Sequence, residues 1–240
     1  MLCELIQEYH LTYDQTLGYR RMMMYINKLN HFNFSKGYIY RLMNLLKIKA
    51  RIRRKKINRK KVNPDYIAEN ILSRDFKATE ANQKWLTDVT EFNIPSESGK
   101  LFLSPIMDLY DNSIITYELS HRNNNSIVFK MFDKAINKYP EAKPVFHSDR
   151  GFQYTGKIFK GKLDKQEMIQ SMSRPGKCID NGPMEGFFGI LKSEMFHGKK
   201  FLNYDDLKCA IHKYIDYYNN NRFQSRLKNM APNEFRAMHI

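Results

Sequence analysis

Three carboxylates in this chain, Asp88, Asp149 and Glu185, stand where a fold could bring them to one point. Asp88 falls within "KWLTDVTEFNI", which reads as a first strand, and Asp149 ends the short apolar strand "KPVFHSD". Glu185 falls in the first turn of a helix opening at "DNGPMEGFFGILKSEMF". Thirty-five residues separate Asp149 from Glu185, enough for a strand end, a helix, a further strand and a helix start. Taken singly, each acid has a plain structural role: Asp149 in a turn, Glu185 at the positive end of a helix dipole, Asp88 paired with a lysine on a neighbouring strand. Taken together, like charges about 4 Å apart repel by roughly 4 kcal/mol at an effective dielectric near 20, so a cluster of three needs compensation. A divalent cation supplies it. Oxygen ligands select hard ions such as Mg²⁺ or Mn²⁺, and two ions about 3.5 to 4 Å apart clamp the attacking and leaving oxygens of a phosphodiester displacement.

Other titratable groups compete less well. Asp108 and Asp111 in "MDLYDNS" follow a strand and read as turn residues, and His147, next but one to Asp149, reads as structural. The seven histidines and three cysteines show no zinc-ligand spacing and no C-x-x-C pair. Trp85, Tyr214, Tyr217 and Tyr218 read as core.

The charge balance points to a polyanion. Forty Lys and Arg stand against 25 Asp and Glu, a formal net charge of +15. Such a field attracts phosphate backbones. The excess is concentrated: ten of the fifteen residues 47–61, "KIKARIRRKKINRKK", are Lys or Arg, with Arg51, Arg53, Arg54, Lys55 and Lys56 at its centre. No apolar run approaches the roughly 18 residues that span a bilayer, and the opening "MLCELIQEYHLTYDQ" carries acids where a signal peptide carries basic residues. The expectation is no membrane and a reducing cytosol.

Stepping outward to the scaffold, Met22, Tyr25, Ile26 and Leu29, then Ile39, Leu42, Met43 and Leu46, fall at helical spacing, with Ser35 placed to cap the second helix. This is a helix-turn-helix pattern, or a plain helical hairpin, ahead of the basic run. Residues 1–61 form that first unit and 62–82 a connector. A core over 83–221 begins with three sequential strands, continues with a helix bearing Ile127, Val128, Met131, Phe132, Ala135 and Ile136 on one face, and then reaches "KPVFHSD". The helix opening at Asp180 or Asn181 as its cap carries Met184, Phe187, Phe188, Leu191 and Met195 as a core-facing stripe, with Glu185 and Lys192 along its edge. A last helix near Tyr204 to Asn219 precedes a polar tail, 222–240. Hairpins followed by helix–strand alternation predict an α/β fold, a mixed sheet with helices packed on it.

The blocks "WLTDVTEF", "HSDRGFQY", "SMSRPGKCIDNGPMEGFFGILKSEMF" and "YIDYYNNNRFQSRL" resemble those of the insertion-sequence transposases whose catalytic subunit is called OrfB. The resemblance implies a ribonuclease-H-like mixed five-stranded sheet, preceded by a small helix-turn-helix domain. By it Asp88, Asp149 and Glu185 are the catalytic, metal-binding triad for two Mg²⁺ or Mn²⁺ ions, and Lys192 contacts DNA near an element end. It further implies cleavage and strand transfer of DNA, with terminal inverted repeats and target DNA as partners, in a homo-oligomer at the bacterial nucleoid. The upstream OrfA product is a candidate partner. Rival readings are a DNA-binding regulator without catalysis and a simple nuclease of the same fold. The chain departs from the family pattern at Gly182, where alanine is usual, and at Gln224, where histidine is usual. The first 17 residues lack a leucine-zipper pattern, so the chain reads as the downstream product alone.

Overall fold

A computed structural model describes residues 1–51, 68–94, 99–175 and 178–239. Arg53, Arg54, Lys55 and Lys56 of the basic run lie outside them.

The amino-terminal unit is three helices: α1 (Leu2–Thr12), α2 (Tyr19–Asn30) and α3 (Lys36–Leu45). Ser35 caps α3 as its type and place predict, its hydroxyl accepting the Tyr38 N–H at 3.2 Å. Ile6, Met22, Tyr25, Ile26, Ile39 and Met43 form the core of this unit, and Phe223 and Ala231 from the carboxyl-terminal tail complete it. The tail is therefore structured. It carries a further helix, α9 (Pro232–His239), and Lys28 of α2 pairs with its Glu234 at 2.6 Å.

The core is a mixed sheet built from β1 (Lys84–Thr87), β2 (Thr90–Ile94), β3 (Gly99–Asp108), β4 (Ile114–Ser120), β5 (Val145–Ser148) and β6 (Ile169–Met172). These six segments fill five positions, β4, β3, β1 with β2, β5 and β6, because β1 and β2 lie along the same edge of β3 in one register. Thr87 pairs Ile106 and Thr90 pairs Leu103, so the two residues between them, Asp88 and Val89, stand across from Pro105 and Ser104. Proline has no N–H to give a ladder, and pairing lapses there. The single first strand expected from the sequence is thus interrupted, with Asp88 in the gap and not inside the strand. The hydroxyl of Thr87 takes up the Pro105 carbonyl at 2.9 Å.

Alternation along the strands sends Trp85, Ile106, Ile115 and Phe146 to one face. There they pack on α4 (Asn125–Lys138), α5 (Phe152–Thr155) and α6 (Lys157–Lys165). Leu86, Leu101, Leu103 and Met107 go to the other face, against α7 (Gly182–Leu191) and α8 (Tyr204–Asn220). The stripe Met184, Phe187, Phe188, Leu191 and Met195 is buried as its spacing predicts, but the winding loosens to a π turn over Lys192–Phe196, closed by His197 N–H donating to the Lys192 carbonyl at 2.7 Å. No helix among the described residues is long and apolar enough to cross a membrane.

Candidate active site

β1 and β5 run parallel, with Lys84 beside Val145, Trp85 beside Phe146 and Leu86 beside His147. The same register carried two residues further sets Asp88 beside Asp149, each the first residue past its strand. Adjacent strands lie about 4.8 Å apart, and register partners present their side chains to the same face. Both carboxylates are half-buried. Backbone donors orient them: Asp88 Oδ1 accepts its neighbour Val89 N–H at 2.7 Å, and Asp149 Oδ1 accepts Gly151 N–H at 2.8 Å. A Cβ on Gly151 would stand 2.9 Å from Asp149 Oδ1, so any larger residue there would displace that carboxylate.

Behind the pair lies Tyr154, fully buried, its hydroxyl 3.1 Å from Thr87 Oγ1. Burial first, and then the negative charge of Asp88 and of Asp149, raises its phenol well above the ordinary tyrosine value. Both carboxylates therefore act on one buried hydroxyl. Burial also raises the Asp149 carboxyl, with the Gly151 N–H working against it. An aspartate held partly desolvated beside another carboxylate gains from any cation that joins them.

Glu185 is exposed in the first turn of α7. Asn181, the residue at the start of that helix, does not cap it; its side-chain amide donates to the Thr87 carbonyl at 3.1 Å, tying the helix start to the strand end just before Asp88. Asp180 does not cap it either. Its buried carboxylate takes Arg74 at 2.7 Å, Arg174 at 2.8 Å and Asn70 at 3.1 Å, which fastens residues 70–74 to the approach to α7. The arginine hydrogen bonds outweigh burial and hold Asp180 far below the usual carboxylate range. Among the described residues no group of three His, Cys, Asp and Glu side chains converges on a common point. The fold thus brings Asp88 and Asp149 together in register and ties the start of the helix that carries Glu185 to the strand end beside them. The donor chemistry fits a hard cation: two carboxylates side by side, with a third on a long, exposed side chain within a helical turn of Asn181.

Asp108 and Asp111 are accounted for elsewhere. Both are fully buried, and Arg236 of α9 reaches both, at 2.5 Å for Asp108. His147 is buried between Ser171 Oγ at 2.9 Å and Ser173 Oγ at 3.1 Å, which occupy both of its ring nitrogens. Trp85, Tyr214 and Tyr218 are core. Lys192 lies in the π turn with its ammonium 5.1 Å from the Phe92 ring centre. Arg51 is exposed, its backbone N–H on the Gln15 carbonyl at 2.9 Å and its guanidinium against Gly198.

Two models of an integrase core domain match residues 78–178 and 185–240, and a model of an HTH-like domain matches residues 2–56. The InsK protein of Escherichia coli K12, named as transposase for insertion sequence element IS150, is 42% identical over 224 residues, covering 91% of this chain and 77% of the relative. The chain belongs to the insertion-sequence transposases of the OrfB type. The transposase for IS904 of Lactococcus lactis is 33% identical, with 83% of this chain and 78% of that protein covered. An uncharacterized transposase-like protein of Haemophilus influenzae is 40% identical over 89% of this chain and 95% of its own length. Among solved structures, a chain of the simian T-cell lymphotropic virus intasome in complex with PP2A regulatory subunit B56 gamma superposes with a TM-score of 0.56 at 14% identity, covering 89% of this chain and 73% of that one. The HTLV-2 integrase catalytic core domain, solved in complex with magnesium in a trimeric form, superposes at 0.51 with 16% identity, covering 66% and 98%. The fold of this OrfB-type transposase is that of an integrase core, a mixed sheet with five strand positions, behind amino-terminal helices. Its reaction class is phosphoryl transfer.

The site residues legible in sequence were the acids themselves. Tyr154, Asn181 and Gly151, which place them, were missed as such. Gly151 and Tyr154 were in the quoted block "HSDRGFQY", and the signal was glycine two residues after an acid at a strand end, where an Asx turn is expected.

Proposed function

We propose that this transposase is a Mg²⁺-dependent polynucleotidyl transferase that hydrolyses one DNA strand at an element end and then transfers the freed 3′ hydroxyl to the phosphorus of a second phosphodiester, whose own 3′ oxygen leaves. The observation that carries the reading is the register that sets Asp88 beside Asp149 at the lip of the sheet. Asp88, Asp149 and Glu185 would hold the divalent ions, the last from the first turn of α7. Bound there, two Mg²⁺ or Mn²⁺ ions would supply Lewis-acid activation of the attacking oxygen and charge stabilisation for the leaving 3′ oxygen. The chain's own part is positional. Gly151 N–H and Val89 N–H fix the two aspartates, Asn181 fixes the start of α7, and buried Tyr154 braces Thr87, the residue before Asp88. Lys192, at the end of α7, would contact the DNA near the cut.

The amino-terminal unit would read the terminal inverted repeat, with Arg51 and the basic run through Arg53, Arg54, Lys55 and Lys56 on the phosphates. The match to an HTH-like domain and the net charge of +15 support this. Joining two ends calls for a homo-oligomer, and the upstream OrfA product is a further partner. The cytosol, at the nucleoid, is where such DNA is met.

A labelled duplex carrying the element's own terminal repeat, incubated with the full chain and Mg²⁺, tests this. Nicking and joined product are expected with Mg²⁺ or Mn²⁺ and none with chelator. Asp88→Ala, Asp149→Ala and Glu185→Ala are each expected to lose activity at least a thousandfold while binding the duplex. Metal-independent binding without scission would instead mark a regulator, and scission without joining a simple nuclease.

A further inference from the structure

The amino-terminal helices meet the core on two kinds of surface. On the tail side the seam is apolar, closed by Phe223 and Ala231. On the other side it is slack: a cavity of about 380 Å³ opens there, bordered by Tyr13, Lys213, Tyr214 and Tyr217. Packing alone does not fix the angle between the two units at this edge.

A hydrogen-bonded network does. Glu194 sits in the π turn two residues after Lys192, with its side chain 11% exposed. Its Oε1 accepts Arg21 Nη1 at 2.6 Å and Arg222 Nη2 at 2.8 Å. Its Oε2 accepts the Tyr214 hydroxyl at 2.8 Å and Arg222 Nε at 3.0 Å. Four donors fill the capacity of a carboxylate. Arg21, on α2, also donates to the Tyr217 hydroxyl at 3.0 Å; that hydroxyl meets Tyr25 at 2.8 Å, and Tyr25 donates to the Asn221 carbonyl at 2.9 Å. The donor order is thus forced from end to end. Burial works against the Glu194 charge, but Arg222 and then Arg21 outweigh it and keep the carboxyl below its usual range. One carboxylate faces two buried guanidiniums, and Arg222 alone would neutralise it. The second arginine, Arg21, carries the connection to α2. Buried ionic groups of this kind fix registry more than they stabilise.

We propose that Arg21 is a positioning residue: through Glu194 it locks the amino-terminal helices to the turn that carries Lys192, and so sets the distance from the bound DNA segment to Asp88 and Asp149 that selects which phosphodiester is cut. The inference rests on the function proposed above. α7 carries Glu185 at its start and runs into the π turn at its end, so a shift of that turn is felt at the site. Single π turns inside helices are frequent at functional sites.

Arg21→Gln leaves the Arg222–Glu194–Tyr214 group whole, and Arg21→Lys restores the charge without the fork. With the full chain and the terminal-repeat duplex, Arg21→Gln is expected to bind DNA within threefold of the parent but to cut at several neighbouring phosphodiesters, with the correct product down at least tenfold. Arg21→Lys is expected to recover part of the accuracy. Hydrogen exchange without DNA gives a readout independent of activity: the His197 amide, bonded to Lys192, should exchange at least tenfold faster in Arg21→Gln. A single unshifted cut site together with unchanged exchange overturns the proposal. Undiminished cutting by Asp88→Ala overturns the proposed function instead, and the exchange result then still decides whether Arg21 holds the turn.

Discussion

Asp88 and Asp149 occupy matching places on two parallel strands, each one residue past the end of its strand and each held by a backbone N–H just beyond it. Two carboxylates about 5 Å apart repel by roughly 3 kcal/mol at an effective dielectric near 20, reduced to about 1 kcal/mol for half-exposed groups. Asp149→Asn removes that repulsion and the cost of burying the charge. The variant is expected to melt about 2 to 4 °C above the parent in chelator, and to lose the stabilisation that Mg²⁺ gives the parent. Scanning calorimetry with and without Mg²⁺ measures both, and a lower melting temperature would count against the repulsive pair.

Gly151→Ala adds a methyl 2.9 Å from Asp149 Oδ1 and 3.1 Å from Gln153 Oε1. The turn has to open and the N–H to Asp149 lengthens. Turnover is expected to fall at least tenfold with thermal stability changed by about 1 kcal/mol, a separation that strand-cleavage kinetics and urea titration resolve together.

His147 is buried, and burial lowers it from 6.5 to about 4. The unfolded chain therefore takes up a proton first as pH falls. Stability is full above the unfolded value of 6.5 and drains away as pH falls to the folded value of about 4, by on the order of 3 kcal/mol. His147→Gln keeps a hydrogen-bonding side chain but cannot titrate. Urea midpoints at pH 7 and pH 4.5 should drop less in the variant than in the parent.

Arg236 spans Asp108 and Asp111, both fully buried. Burial raises Asp108, with the Tyr110 and Asn82 N–H groups, then Arg236, opposing it. Arg236→Met would strand two acids under α9. A loss of about 3 to 5 kcal/mol in urea unfolding is expected, whereas Asp111→Asn, which keeps Arg236 on Asp108, should cost less than half of that.

Much of the fold was open to reading because its signals are local. Apolar spacing gave α2, α3, α4 and the stripe of α7, and Ser35 marked its own helix start. What escaped depends on partners far along the chain. The gap at Asp88 is caused by Pro105 on another strand. Asp180, a good capping residue by type, is claimed by Arg74 and Arg174, because a buried carboxylate gains more from two guanidiniums than from a backbone N–H. The tail read as polar since its buried residues, Phe223, Leu227 and Ala231, are few and lie at no regular period. At the site, residue types named the acids, but their register is a property of the β1–β5 pairing and no local pattern holds it. Nothing local in the sequence singles out Glu194; only the packing of α2 against the π turn reveals that it is a junction.

β2 resumes the count of β1 after the two residues Asp88 and Val89, as if the ladder had never lapsed. Side chains alternate with period two, so the length of that interval has a parity. One residue added or removed would turn Phe92 and Ile94 outward and Glu91 and Asn93 into the core, whereas a change of two would restore the sides. Relatives and engineered variants should therefore differ in this interval by even numbers, whatever residues they place there.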